Sequence, residues 1–268
     1  MRRFARVLPR LLPVILGSFF LSACAEVSAP LFQVVPGVRE IDLRRQPKAG
    51  MRVVHQIATR ISISGPLAQN LPESQRNLAR SQTRIMDITS VTSEYFEFRD
   101  TEGGVAIPGT MRFSRDWVPV EIRFDDPRML TEKDHIAVKA VLSSLEQVFR
   151  ESAQFFRPWR IGETRPFEIR LPGPQGSASV KGTATFRRVV LIHDRPSAEF
   201  DGVGSADLTV EETTMRMTLP MQWWMDLATG VSLKSKSKGT IEFSMKGQSA
   251  RMDLETEEVL DFGSSRGL

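Results

Sequence analysis

Apolar and polar residues alternate with a period of two along most of this chain. In the stretch 53–63 the odd positions, beginning with Val53, His55 and Ile57, share one face, and Gln56 and Arg60 lie on the other. This period is that of a half-buried β-strand. The same alternation predicts further strands at 85–99, 105–114, 118–124, 179–192, 205–212, 214–226, 231–238, 240–246 and 250–259.

Turn-forming residues separate these segments. Pairs ending in glycine occur at 201–202, 229–230 and 246–247, and the stretch 100–104 ends in two glycines. Glycine adopts the backbone angles that tight turns need, so these positions predict hairpins. Strands joined by hairpins pair antiparallel. The pattern therefore predicts an antiparallel sheet.

One segment has a helical period instead. Thr131 and Asp134 resemble a capping box, apolar residues then recur at helical spacing, and Pro158 ends the run. The shorter segment 74–83 is left open between helix and loop. We predict an α+β fold, mainly antiparallel β: a curved sheet or half-barrel of about 9–11 strands with one long helix on its apolar face. Two strand-rich halves, 51–125 and 179–260, are joined by a helical connector, 131–157.

The N-terminus has the parts of a secretory signal peptide. Four arginines lie within residues 2–10, and an apolar stretch, 11–21, follows them. This stretch is shorter than the roughly 20 apolar residues of a membrane-spanning helix, and Pro13 interrupts it. Residues 1–23 are therefore predicted to be a cleaved signal peptide.

Leu21, Ser22, Ala23 and Cys24 resemble the lipobox of bacterial lipoproteins. The resemblance implies cleavage between Ala23 and Cys24 and attachment of a diacylglycerol to the Cys24 thiol, with acyl chains such as palmitate holding the protein on a membrane. Ala25 stands where an aspartate would resemble an inner-membrane retention signal. The expected location is therefore membrane-anchored and facing the periplasm, on the outer membrane of a bacterium that has two.

Removing the predicted signal peptide changes the charge. The whole chain has 36 Lys and Arg against 32 Asp and Glu, and the first 23 residues contain four Arg and no acid, which leaves 32 of each. A neutral domain without a basic run lacks the charge that neutralising many phosphates requires. Nucleic-acid binding is therefore excluded.

The predicted mature chain divides into three parts. Residues 24–50 contain scattered proline and glycine and are predicted to be a flexible tether, although their short apolar pieces leave docking on the domain as an alternative. Residues 51–262 form the β-rich domain, and residues 263–268 a disordered tail. Because Cys24 is the only cysteine, the domain has no disulfide and depends on burial for its stability.

The order of strands, helix and strands, together with the expected compartment, resembles the half-barrel lipoprotein carriers of the bacterial periplasm, the LolA and LolB type, and uncharacterised lipoproteins of similar layout. The stretches 159–164 and 226–230 resemble pieces common in such lipoproteins. The resemblance implies a concave apolar face able to hold an acyl chain.

Candidate chemistry is sparse. His55, His135 and His193 lie in different predicted elements, without a second ligand at metal-binding spacing. The stretch 235–238 fits Ser-x-x-Lys only in letters, because it alternates like a strand. The glutamates at 255, 257 and 258 are expected to face water. We therefore predict no enzymatic activity, no catalytic residues, no metal site and no cofactor.

Two surface features remain as candidates. An alternating run of methionine and aromatic residues predicts an adaptable apolar surface that binds a hydrophobic ligand, with ordinary core packing as the alternative; its members are Met215, Met217, Leu219, Met221, Trp223 and Trp224. Lys234, Lys236 and Lys238 share one strand face and either contact anionic lipid headgroups or protect an edge strand from self-pairing.

Two functional hypotheses follow. In the first, the chain is a membrane-anchored, non-enzymatic lipoprotein of the cell envelope that binds a lipid or other hydrophobic ligand in its half-barrel. In the second, the same anchored domain is a ligand-free scaffold that acts through protein partners in envelope assembly or maintenance.

Overall fold

The computed structural model describes residues 32–43, 48–102, 109–114, 119–126, 128, 157–173, 176–210, 213–245 and 247–264. Thirteen strands lie within these ranges: β1 (Glu40–Ile41), β2 (Met51–Ser64), β3 (Asn77–Val91), β4 (Tyr95–Glu102), β5 (Gly109–Ser114), β6 (Pro119–Phe124), β7 (Trp159–Arg160), β8 (Thr164–Gly173), β9 (Gly176–Ile192), β10 (Arg195–Val210), β11 (Thr213–Asp226), β12 (Ser232–Met245) and β13 (Gln248–Ser264).

Eleven of these strands form one antiparallel sheet in the order β6-β5-β4-β3-β2-β13-β12-β11-β10-β9-β8. Strands that follow one another in the chain lie side by side in this sheet. The exception is at the centre, where the last strand, β13, pairs with β2. The last strand thereby joins the two halves of the chain through 14 residue pairs, from Arg251 opposite Ser64 to Ser264 opposite Met51. The short strands β1 and β7 pair separately. The predicted antiparallel sheet is confirmed.

The predicted α+β class is wrong for the part of the chain that the structure describes. There, helical structure consists of a 3-10 turn, Pro66–Asn70, a single helical turn, Glu73–Arg76, and Arg128 in 3-10 conformation. Most of the segment 74–83 is strand, because Asn77 pairs with Ser62 and the following residues continue along β2. The predicted connector helix, 131–157, lies outside the described residues except for Arg157. The fold is an antiparallel β fold.

Alternation along the strands gives the sheet two faces. We call the face that carries Met215, Met217 and Leu219 of β11 the inner face, because these residues are buried, and the other the outer face, where Arg216 and Thr218 are exposed. The near end of the sheet is where β9 turns into β10 and β11 into β12. The far end is where β11 and β13 begin.

The inner face carries the main hydrophobic core. Its buried residues come from β2 and β8–β13, and the segments packed over it supply Ile41, Leu43, Leu67 and Trp159. Aromatic rings contribute much of the volume. The ring of Phe200 lies 5.1 Å from that of Trp159, 5.3 Å from that of Phe186 and 5.5 Å from that of Trp223, measured between centroids.

The segment 32–43, part of the predicted tether, packs on the domain. Val34 bridges Val190, the N–H of Val35 donates to Val189 O, and the N–H of Leu191 donates to Gln33 O, each of these two bonds being 2.9 Å long. This segment continues the sheet beyond the point where β8 stops pairing with β9. Phe32 covers a small outer-face cluster at the near end, which contains Val190, Ile192, Trp224 and Leu233.

Candidate functional site

Along β12 and β13 the inner face changes from polar at the near end to apolar at the far end. Near the near end, one row in register contains Trp223, Ser235, Glu258 and Ile57, and the next row contains Met221, Ser237, Thr256 and Thr59. Toward the far end the rows become apolar: Leu254 faces Ile61, Ile241 lies between Met217 and Met252, and Phe243 lies between Met215 and Ala250. The buried inner face therefore carries a polar patch on β12, β13 and the adjacent part of β2, next to apolar rows toward the far end.

The polar patch centres on Glu258. Its Oε1 accepts a hydrogen bond from Nε2 of His55, and its Oε2 accepts one from the hydroxyl of Ser235 at 3.1 Å. We assign the donors in this way because an imidazole N–H and a hydroxyl donate to carboxylate oxygens. His55, Glu258 and Ser235 are 3%, 5% and 2% exposed. A carboxylate at this depth requires such partners, because burying an unpaired charge is costly.

Strand pairing creates this group. His55 lies at an inward position of β2, Glu258 at an inward position of β13 and Ser235 at an inward position of β12. The pairing of β13 with β2 brings together two residues that lie 203 apart in sequence. The expectation that Glu258 faces water is wrong, because the strand phase turns Glu255 and Glu257 outward but Glu258 inward.

Sequence reasoning missed this site. The alternation in β13 places Met252, Leu254, Thr256 and Glu258 on one face, and the first two of these residues mark that face as buried. That phase was available from the sequence. What it could not supply was His55 as the partner, because nothing local links β13 to β2.

The arrangement does not suit a serine nucleophile. In the Ser-His-Asp arrangement the imidazole takes the serine proton. Here the carboxylate of Glu258 lies between the hydroxyl of Ser235 and the imidazole of His55. The geometry instead forms a buried patch of hydrogen-bonding groups next to the apolar rows of the inner face.

The predicted hydrophobic ligand surface is part of the core. Met215, Met217, Leu219 and Trp223 are 3–8% exposed on the inner face, and Met221 is partly buried against them. Trp224 differs from the rest of this set. It is buried on the outer face at the near end, where its ring lies 5.4 Å from that of Phe32.

The three lysines of β12 lie on the outer face opposite acidic residues of β13. Lys234 Nζ lies 2.6 Å from Glu257 Oε1, Lys238 pairs with Glu255, and Lys236 faces Glu257 in register. The edge-strand interpretation is wrong, because β12 pairs with β11 on one side and β13 on the other. Lys234 and Lys238 thus form ion pairs across two neighbouring strands.

Ala23 and Cys24, the predicted cleavage and lipidation residues, lie outside the described residues, as does His135. His193 and Asp194 form the turn between β9 and β10, with φ angles of 48° and 60°. Two successive positive φ angles are typical of a type I′ hairpin. This pair is therefore a turn at the near end, remote from Glu258.

Where the structure is described, no three His, Cys, Asp or Glu side chains are grouped so as to hold a metal ion. Nor do those same ranges contain a helix long and apolar enough to span a membrane.

A pocket of about 650 Å³ lies where β1 meets β7, lined by Glu40, Arg160, Glu163 and Arg165 among others. Its charges are paired: Arg165 Nε lies 2.6 Å from Glu163 Oε1, and Arg160 Nε lies 3.3 Å from Glu40 Oε2. The hydrogen bond from Arg165, together with one from the backbone N–H of Arg160, lowers the pKa of Glu163. None of the predicted site residues lines this pocket.

No protein-family model matches the chain, and no curated protein matches it. Among solved structures, the outer membrane protein OprG from Pseudomonas aeruginosa aligns over 80% of this chain and 95% of its own, at 8% identity and a TM-score of 0.13. A TM-score this low carries no argument about fold or function.

Proposed function

We propose that this chain is a non-enzymatic, membrane-anchored lipoprotein of the bacterial cell envelope that binds a lipid or other hydrophobic ligand on the inner face of its sheet. The observation that carries the ligand proposal is that a buried polar patch on β12 and β13 lies next to apolar rows on that face. A lipid likewise has a polar headgroup next to an apolar acyl chain.

The polar patch offers groups suited to a headgroup. Ser237 and Thr256 are buried in the row next to Ser235 and Glu258. Ligand sites are mostly apolar, with a few polar groups that fix orientation. The methionines of β11 add an adaptable apolar lining, because methionine adjusts its shape at low cost. A carrier of this kind would match the proposed resemblance to the periplasmic lipoprotein carriers.

A second candidate is a ligand-free scaffold that acts through protein partners in the envelope. The observation that favours it is the close burial of Met215, Met217 and Leu219, which contact the rest of the inner-face core. A filled inner face would leave the outer surface for binding partners.

Measuring the lipid that is bound non-covalently to the protein distinguishes the two candidate functions. We expect native mass spectrometry of the full chain, purified in detergent, to detect a bound lipid beyond the covalent one. Met221→Trp places bulk on the inner face and is expected to lower the lipid occupancy at least severalfold. Thr218→Trp is the matched control, because Thr218 lies on the same strand but is exposed on the outer face.

Equal lipid occupancy in the two variants would contradict binding on the inner face. The absence of any non-covalent lipid from the wild-type protein would favour the scaffold. Circular dichroism and thermal unfolding of both variants establish that each remains folded.

The anchoring proposal rests on the lipobox-like residues that end at Cys24, and the outer-membrane location on Ala25. Cys24→Ala is expected to abolish acylation, which intact-mass measurement detects as loss of the diacylglycerol mass. The variant should either keep the mass of residues 1–23 or move to the soluble periplasmic fraction. A cleaved Cys24→Ala protein that stays with the membrane would argue against the lipid anchor.

A further inference from the structure

The position of Phe32 in the fold limits how the domain can face a membrane. The described chain starts at Phe32, which is fixed at the near end by its contact with Trp224 and by the hydrogen bonds of Gln33 and Val35 to β9. We propose that the near end of the sheet, with its turns at residues 193–194 and 227–231, faces the bilayer. This inference rests on the proposed lipid anchor at Cys24.

The length of chain between Cys24 and Phe32 limits how far Phe32 can lie from the membrane. Eight residue steps separate Cys24 from Phe32, and a fully extended chain of that length spans at most about 26–29 Å. The far end lies 11 residues from Trp224 along β11, which is about 37 Å at the rise of an antiparallel strand. If the strands stood perpendicular to the bilayer on their far end, Phe32 would be farther from the surface than the chain from Cys24 can reach.

The outer face is poorly suited to lie flat on a bilayer. It carries ion pairs of both signs, such as Arg187 with Asp201 at 2.6 Å and Arg216 with Asp207 at 2.9 Å. Pressing these groups against lipid would remove their water, and the desolvation cost of an ion pair can exceed its Coulombic gain. With the near end facing the bilayer, these ion pairs stay in solvent.

In this orientation, the two ends of the inner face lie at different distances from the membrane. The polar rows with Ser235 and Glu258 lie toward the near end, and the apolar rows with Ile241 and Phe243 lie toward the far end. A bound amphiphile would therefore have its headgroup on the membrane side and its acyl chain directed away from the bilayer.

Single introduced cysteines test the orientation, because the proposed acylation of Cys24 removes the only natural thiol. Ala228→Cys places an exposed label at the near end, and Ser249→Cys places one at the far end. The full lipidated chain is reconstituted into vesicles of phosphatidylethanolamine and phosphatidylglycerol that contain a nitroxide-headgroup lipid. We expect quenching of a fluorophore at residue 228 to exceed that at residue 249 by at least about twofold, since the ends are tens of ångströms apart.

A longer tether is the matched control. A Gly-Ser insertion of about 20 residues between Pro30 and Leu31 adds up to about 70 Å of reach and should abolish the difference between the two labels. A difference that survives the insertion would overturn the argument from reach. Equal quenching without the insertion, in a protein that floats with the vesicles, would overturn the orientation alone. A protein that does not float with the vesicles would overturn the anchor and, with it, this inference.

Discussion

Glu258→Ala is expected to lower the free energy of unfolding by about 3–5 kcal/mol, because it removes one partner of a buried, hydrogen-bonded pair. The substitution leaves Nε2 of His55 and the hydroxyl of Ser235, both buried, without their shared acceptor. Urea unfolding of the full chain measures the loss.

The same strand provides the matched control. Glu255 pairs with Lys238 on the outer face, where the side chains are 25% and 74% exposed. An exposed ion pair contributes about 0–1 kcal/mol, so Glu255→Ala should change the stability by no more than that. Equal losses at positions 255 and 258 would show that the buried group has no special role in stability.

Glu258→Gln separates charge from hydrogen bonding. The amide oxygen can still accept a hydrogen bond from Ser235, so the expected loss is smaller, about 1–2 kcal/mol. A glutamine variant as unstable as the alanine variant would show that the carboxylate charge, and not only its hydrogen bonds, holds the site together.

Phe200→Ala is expected to destabilise the domain by about 3–5 kcal/mol, the usual cost of deleting a fully buried aromatic ring. Phe200 has no exposed surface, and its ring joins Trp159, Phe186 and Trp223 into one aromatic cluster. The loss of stability has two causes. Buried apolar surface is lost, and a cavity remains because the three neighbouring rings cannot move to fill it. Thermal or urea unfolding measures it.

Val203 provides the comparison on the same strand. It is 42% exposed, so Val203→Ala should change the stability by only about 0.5 kcal/mol. A small effect at Phe200, comparable to that at Val203, would contradict the aromatic cluster as the centre of the inner-face core.

The alternation along the chain was enough to predict the sheet but not the pairing of every strand. The hairpin from β11 to β12 follows from the alternation on both sides of Thr229 and Gly230. The strand β10 begins at Arg195, ten residues before the pattern predicts. Phe200 and Gly202 lie in this earlier part of the strand, and they pair with both β9 and β11. Pairing on both sides stabilises a strand whose own alternation is weak.

In the candidate site, too, the sequence predicted one part and the structure was needed for the other. The sequence placed the methionines of β11 on one face, and the structure keeps them together there. Trp224 was grouped with them, but it follows Trp223 directly and so points to the opposite face. There Phe32 covers it, and β11 and β12 shift register between Trp224 and Met225.

By itself, the sequence determined an antiparallel sheet, because a period of two in the side chains is a local property of an extended backbone and short turns join its strands as hairpins. The α+β class predicted with that sheet was wrong for the described residues. The role of Cys24 stays a prediction from its four-residue motif. Only the tertiary structure decided that β13 returns to pair with β2, that the segment 32–43 docks beside β9, and that Glu258 is buried against His55. These outcomes depend on contacts between distant parts of the chain, and no local pattern encodes which of several similar strands will be the neighbour.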